Sequence, residues 1–325
     1  MTNDKLNEII RSFGISKPAF TFLRHNENRT YRIDAADGSS YLLRIHQPFK
    51  EGMAGLQHTY EGLLGELEML DKLSNGSDLI VQSPLRNDAG DLITVIEYEG
   101  KTLNCSMLTW LEGRDLNKQD ITNREMVKVL GAQIAELHSF FRQYPFEGLE
   151  KRPSQGITYN NGMVRTIKHG LDRGLFTSSD VSVIEESVKL INSRLENQAN
   201  TSDRWGLVHG DLGMGNMIVT PEGELCFIDF GFFGPGYYLL DVAMGASMIP
   251  SEHRDVFLEA YYGHPGVNAD ELVLLEGFML VSIIGFYAFQ MGNESLHDWM
   301  RERMPRLCTN YCIPFLASER IFYNV

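Results

Sequence analysis

Four cysteines in 325 residues are too few for a disulfide scaffold. Cys308 and Cys312 stand four apart, where they can share a helix face, yet no His or Cys set stands near them at zinc spacing. Basic residues are scarce as well. The chain has 29 Lys and Arg against 43 Asp and Glu, a net charge of −14. So acidic a surface repels phosphate backbones and excludes a dedicated nucleic-acid binder or a basic helix lying on a membrane. A long apolar run is missing too. The best candidate, Leu272–Met291, has an uninterrupted stretch of only 13 residues, Gly277–Phe289, short of the ~20 that cross a bilayer. Apolar on nearly all sides, it reads as the central helix of a large helical lobe. The opening MTNDKLNEIIRSFG has no apolar h-region and is not read as a signal peptide. A cytoplasmic protein that touches neither membrane nor nucleic acid is the expectation.

What the chain does have is apolar mass. Hydrophobic residues make up 43% and aromatics 10%, enough for large cores, and the length suits two domains or lobes. The first third is strand-rich. Thr30–Ala35 and Ser40–His46 flank an Asp37-Gly38 turn, and a third run, Leu92–Glu97, ends at Glu99-Gly100. Between them, Leu63, Leu67, Leu70 and Leu73 keep helical spacing and predict a helix over His58–Leu73. From about Leu116 the pattern turns helical, over Arg124–Phe141, Ser179–Glu196, Ser251–Tyr262 and Asp270–Phe289, with a short β insertion at Leu207–Phe230. The expected division is a β-rich lobe at 1–105, a connecting hinge at 106–116, and a helical lobe at 117–325.

The chemistry concentrates in LVHGDLGMGNMIVTPEGELCFIDFG, Leu207–Gly231. It holds His209-x-Asp211-x4-Asn216 and then Asp229-Phe230-Gly231, the spacing of the loops that perform phosphoryl transfer in protein kinases. Six such positions coincide by chance in well under ~1 in 1,000 chains of this size. A hairpin centred between Glu222 and Gly223 is expected to set Asn216 opposite Asp229. An amide oxygen and a carboxylate suit Mg2+, which also takes phosphate oxygens and water. Asp211, on the loop before the hairpin, is free to accept a hydroxyl proton, and His209 is read as a brace for that loop.

The strand-rich part should supply phosphate grips. On Tyr41–His46, Arg44 stands where a kinase carries its phosphate-binding Lys, and Arg is permanently charged and bidentate toward phosphate. Glu66 lies on the leucine face of the helix, with Asp71 also near that face, and a carboxylate on an apolar face needs a partner. A nucleotide-covering loop is expected at Arg24–Tyr31. It contains no glycine, so polar side chains such as Asn26 and Asn28 replace a glycine cradle.

With these residues the sequence resembles the aminoglycoside phosphotransferase/choline kinase superfamily, the small-molecule branch of the protein-kinase-like fold. Glu27–Ile33 resembles its first hairpin, Tyr41–Arg44 its phosphate-gripping strand, Gly65-Glu66-Leu67 its partner helix, and Met107–Leu116 its interlobe hinge. The segment GAQIAELHS, Gly131–Ser139, resembles the following helix. The resemblance implies an α+β, two-lobe fold, with a small antiparallel sheet and one main helix followed by a larger, mostly helical lobe. It implies ATP and Mg2+ as cofactors, Asp211 as base, Asn216 and Asp229 as metal ligands, and Arg44 with Glu66 at the phosphates. Met107, Leu108 and Trp110 would lie along the adenine, and Asp241 would brace the catalytic loop.

The string A-P-E, which closes the peptide-docking segment of protein kinases, occurs nowhere, and 11 residues separate Asp229 from Asp241. A small-molecule hydroxyl acceptor is therefore favoured over a protein Ser/Thr acceptor or a catalytically silent nucleotide-binding regulator. The last 105 residues carry 5 Arg, no Lys and 14 acids, which leans toward a cationic, amine-bearing acceptor.

Overall fold

The computed structural model describes residues 1–25, 28–46, 55–197 and 203–325. The chain divides into two compact units, one of Met1–Asp115, Tyr144–Arg152 and Asn216–Phe232, the other of Leu116–Gln143, Pro153–Gly215 and Phe233–Val325.

The first unit is built on a five-stranded antiparallel sheet. Its strands are β1 (Ala19–His25), β2 (Asn28–Asp34), β3 (Ser40–His46), β4 (Thr94–Tyr98) and β5 (Lys101–Thr109), ordered β1-β2-β3-β5-β4. Gly38, at φ +89°, supplies the left-handed residue of the β2–β3 turn. Alternation along the strands gives the sheet two unlike faces. Tyr31, Ile33, Leu43, Ile45, Cys105 and Met107 share one face and pack with Leu6, Ile9 and Ile10 of α1 (Asn3–Ser12) into a buried apolar cluster. The opposite face is polar. Register pairs Asn28 with His46, Thr30 with Arg44, and Arg44 with Ser106.

Helix α2 (Tyr60–Gly76) is capped by Thr59, whose hydroxyl accepts from the Gly62 N–H at 3.0 Å. It buries Leu63, Glu66, Leu67, Leu70 and Leu73, so the leucine spacing had marked the right face. A three-stranded sheet completes this unit: β6 (Arg114–Asp115), with β8 (Met217–Val219) and β9 (Leu225–Phe227) as a hairpin.

That hairpin differs from its expected register by one residue. Met217 pairs with Phe227 and Val219 with Leu225, and the Ile228 N–H donates to the Asn216 carbonyl, so Asn216 stands opposite Ile228 rather than Asp229. The cause is the turn. Gly223 adopts φ +87° and donates to the Thr220 carbonyl, while Thr220 N–H bonds Glu224. This is a three-residue loop whose left-handed glycine moves the centre of pairing back by half a residue.

The second unit is mainly helical: α3 (Arg124–Gln143), α4 (Ile157–Asp172), α5 (Ser178–Glu196), α6 (Tyr238–Met248), α7 (Arg254–Tyr262), α8 (Ala269–Gln290) and α9 (His297–Leu307). A two-stranded antiparallel pair, β7 (Trp205–Val208) and β10 (Gly234–Tyr237), is set among them. Helix α8 has 22 residues, long and apolar enough to span a bilayer by length and composition, yet most of its apolar window is buried against neighbouring elements such as α4, α5 and α6. Buried within it, the Glu276 carboxylate accepts the N–H groups of Ile321 and Phe322, which latches the last residues to the helix. Cys308 and Cys312 lie buried in a π-helical turn after α9.

Candidate active site

Two clusters of polar side chains, one in each unit, hold the residues singled out by the sequence.

In the first unit, strand parity turns Arg44 toward α2. Its Nη1 donates to Glu66 Oε1 at 2.7 Å and its Nε to Ser106 Oγ at 3.2 Å. The pair is deeply buried, with the two side chains 6% and 2% exposed. Burial pushes the Glu66 carboxyl upward, but Arg44 and then Arg152 outweigh it and hold the group below its usual 4.5. Arg152 is itself buried 3.9 Å from Glu66. Two buried guanidinium groups thus face one buried carboxylate. The nearby imidazoles add no further positive charge near neutral pH, because burial holds His46 well below 6.5 and also lowers His58.

Three buried polar atoms on this face, Asn28 Oδ1, Arg44 Nη2 and His46 Nδ1, have no hydrogen-bond partner among the described residues. Such atoms are costly to bury unless a ligand or water meets them. The unpartnered Arg44 Nη2 donor fits an anionic oxygen, whereas Asn28 Oδ1 is an acceptor and calls for a donor such as water or a ligand hydroxyl.

Arg24 enters the same face through a bulge. Phe22 pairs with Tyr31 and Arg24 with Thr30, so Leu23 is the extra residue; without it Leu23 would take the place of Arg24 opposite Thr30. Arg24 Nη2 reaches Asp229 Oδ2 at 3.3 Å. Much of the span expected to be a loop over Arg24–Tyr31 is therefore strand, while Asn26 and Glu27 lie outside the described residues. Asp229 follows β9 at φ +62°, a left-handed conformation that Asp tolerates better than most residues and that breaks the strand there. Asn216 and Asp229, which flank the open end of the hairpin, are both part-exposed. Among the described residues no three His, Cys, Asp or Glu converge on a point.

The stretch expected to form a hinge begins as strand. Met107 and Leu108 belong to β5, the Met107 carbonyl accepts from Leu85 N–H at 2.8 Å, and Trp110 N–H donates to the Ser40 carbonyl at 3.1 Å. Parity separates the neighbours: Met107 is buried on the α1 face, whereas Leu108 pairs with Leu42 on the polar side. The Arg32 guanidinium lies 4.8 Å over the Trp110 ring.

In the second unit, the loop after β7 is organised by Asp241. Its buried carboxylate accepts the N–H groups of His209 at 2.7 Å and Gly210 at 2.9 Å, and meets His138 Nε2 at 3.0 Å. Gly210 sits at φ +79°, which a side chain would strain. Gln155 Nε2 binds the Gly210 carbonyl at 3.2 Å, and Asp211 N–H donates to His209 Nδ1 at 3.3 Å. Asp211 is thereby held on a braced loop, part-exposed. His209 is wholly buried, with its Nδ1 accepting from the backbone. Sequence reasoning did not find His138, Gln155, Arg24 or Arg152. Only the bulge could not be anticipated for Arg24; the other three are remote in sequence from what they touch.

A cavity of about 520 Å3 opens between α8 and α9, lined by residues that include Phe286, Tyr287, Trp299, Arg303 and Tyr311. Its wall offers aromatic faces and guanidinium groups rather than carboxylates.

The chain is similar in fold to an aminopropanol kinase associated with a microcompartment, with a TM-score of 0.76, 18% identity and 98% of each chain covered. It is similar also to an amicoumacin kinase solved with AMP-PNP and Ca2+ (TM-score 0.75, 19% identity, covering 99% of this chain and 95% of that one). A spectinomycin phosphotransferase solved with ADP and spectinomycin gives 0.70 at 14% identity, covering 97% and 98%. In sequence it is 25% identical over 322 residues to an uncharacterized protein of Deinococcus radiodurans, covering 95% of this chain and 87% of that protein. The α+β, protein-kinase-like architecture expected from the sequence is the one found. The model of the phosphotransferase enzyme family matches residues 20–274, most of the chain and nearly all the residues discussed above, and this protein belongs to that family.

Proposed function

We propose that this protein transfers the γ-phosphate of ATP to a hydroxyl of a small molecule, with Mg2+, in the cytoplasm. The observation that carries the reading is the surplus of buried positive charge around Arg44, whose Nη2 lacks a partner among the described residues. A polyphosphate supplies both the acceptors and the negative charge that this face lacks.

In this reading Arg44, held by Glu66, and Arg24 grip the phosphates, and Asn28 adds a polar contact from β2. Met107, Leu108 and Trp110 belong to the connecting stretch beside the adenine, in a division of 1–105, 106–116 and 117–325. Asn216 and Asp229 would hold Mg2+, which neutralises phosphate charge when bound. Asp211 orients the acceptor hydroxyl and takes its proton, while Asp241 and His209 keep its loop in place.

The segment after Asp229 favours a small acceptor. It passes directly into β10, paired with β7, and then into α6, which leaves no stretch for docking a peptide. The acidic surplus of the last 105 residues favours an amine-bearing acceptor, although the arginine-bearing wall between α8 and α9 is unsuited to a cation.

The test is a screen of hydroxylated amines, sugars and antibiotics for acceptor-dependent ADP release. Asp211→Ala should lower turnover by about 100- to 10,000-fold with nucleotide affinity retained. If the wild type binds Mg-ATP and never turns over, the protein is a nucleotide-binding regulator.

A further inference from the structure

Arg152 has no counterpart among the residues that the sequence motifs mark. It ends the short excursion Tyr144–Arg152 that returns the chain to the first unit, and it is 2% exposed. Its guanidinium joins two elements. Nη1 donates to the Gly62 carbonyl in the first turn of α2 at 2.9 Å and lies 3.9 Å from Glu66 Oε2. Nη2 donates to the carbonyls of Phe230 at 2.9 Å and Gly231 at 2.7 Å. Burial lowers its pKa to about 10, which leaves it charged at neutral pH.

These contacts are unusual in what they connect. Phosphoryl transfer in this type of site requires the cation–glutamate pair and the metal-binding aspartate to be in place together. Here the cation–glutamate pair is Arg44–Glu66, and Asp229 directly precedes the two carbonyls that Arg152 holds. One planar fork spans both, sharing Glu66 with Arg44 and pinning the backbone behind Asp229. A lysine has one nitrogen and cannot divide itself between α2 and two carbonyls of another segment.

We propose that Arg152 is a positioning residue that sets the Asp229-Phe230-Gly231 segment and the Arg44–Glu66 grip as one preassembled unit, so that metal and phosphate affinities are coupled. The inference rests on the phosphotransferase reading above. It predicts a site in which the metal segment stays in place without a separate activating event.

The test measures binding of AMP-PNP by calorimetry, at varied Mg2+ and without it, alongside the thermal midpoint. Arg152→Lys keeps a charge beside Glu66 and loses the fork. The half-saturating Mg2+ concentration should rise about 10-fold or more, as for other groups that orient a metal ligand, while metal-free nucleotide affinity changes less than about 3-fold. Arg152→Met should weaken both. Unchanged Mg2+ dependence in folded Arg152→Lys, whatever its thermal midpoint, makes Arg152 a packing residue and overturns the inference.

If neither variant folds, Glu66→Gln decides. No contact described above joins Glu66 to the metal segment except through Arg152, so coupling requires its Mg2+ midpoint to rise too, by about 3-fold. An unshifted midpoint refutes coupling. Wild type that binds no Mg-nucleotide at all overturns the phosphotransferase reading and this inference with it, whereas wild-type binding with unshifted variants overturns this inference alone.

Discussion

Replacing Glu66 with Gln isolates the energetic weight of the buried charge cluster. The change keeps shape and an acceptor oxygen but removes the carboxylate that faces Arg44 at 2.7 Å and Arg152 at 3.9 Å. With an effective dielectric of about 20, these separations correspond to about 6 and about 4 kcal/mol of attraction. Desolvation of the carboxylate offsets much of that sum, and breaking a buried pair by removing one partner costs about 3–5 kcal/mol. Gln still accepts from Arg44, so the lower end, about 3 kcal/mol, is expected at pH 7.

The pH dependence follows from the depressed Glu66 carboxyl. Wild type holds its advantage fully above the ordinary value of 4.5 and loses it as pH falls through the lower folded value, so the two proteins converge in acid. Because the chain divides into two compact units and a single two-state transition is not assured for such chains, the suitable assay is native-state hydrogen exchange of α2 amides across a urea series. A loss under about 0.5 kcal/mol would place this pair with solvated surface ion pairs and refute the account of the cluster.

Three further outcomes follow from the same structure. His46 and His58 are held below 6.5, so beneath that pH the unfolded chain binds protons that the folded imidazoles refuse. Stability should fall by up to about 1.4 kcal/mol per pH unit for each group, and His46→Gln should flatten the slope in a pH series of urea melts. In Gly206→Ala the new Cβ would lie 1.9 Å from the Tyr238 hydroxyl, on a ring held by His138 and Arg142; a loss of about 1–3 kcal/mol in a urea melt is expected. Arg44→Lys loses the bond to Ser106 and the spare Nη2, which should cost about 1 kcal/mol of stability and weaken nucleotide binding several-fold by calorimetry.

The candidate site was legible in the sequence because it is local. His209, Asp211, Asn216 and Asp229 lie within 21 residues of chain, at spacings that a loop and a hairpin impose. Glu66 was legible for a related reason: helical periodicity alone put it on the leucine face, and a buried carboxylate demands a cation. Arg44 was legible from its place on the expected strand, where a kinase carries its phosphate-binding Lys, and the bounds of β3 match the expected run.

What escaped depends on single-residue events or on distance. The left-handed Gly223 shifted the β8–β9 register by one, and the Leu23 bulge turned Arg24 rather than a leucine toward the polar face. Neither alters the hydrophobic pattern from which register is read. The continuation of β5 through Met107 and Leu108 was hidden for another reason: its polar side, Asn104 and Ser106, interrupts the apolar run.

The sequence by itself therefore determined the fold class, the candidate catalytic loop and the charge pair, since each is written in periodicity or short spacing. Only the tertiary structure decided that a second buried cation shares Glu66. Arg152 stands 90 residues from Gly62 and 78 from Phe230, and no local pattern encodes a guanidinium whose partners are backbone carbonyls of two distant segments.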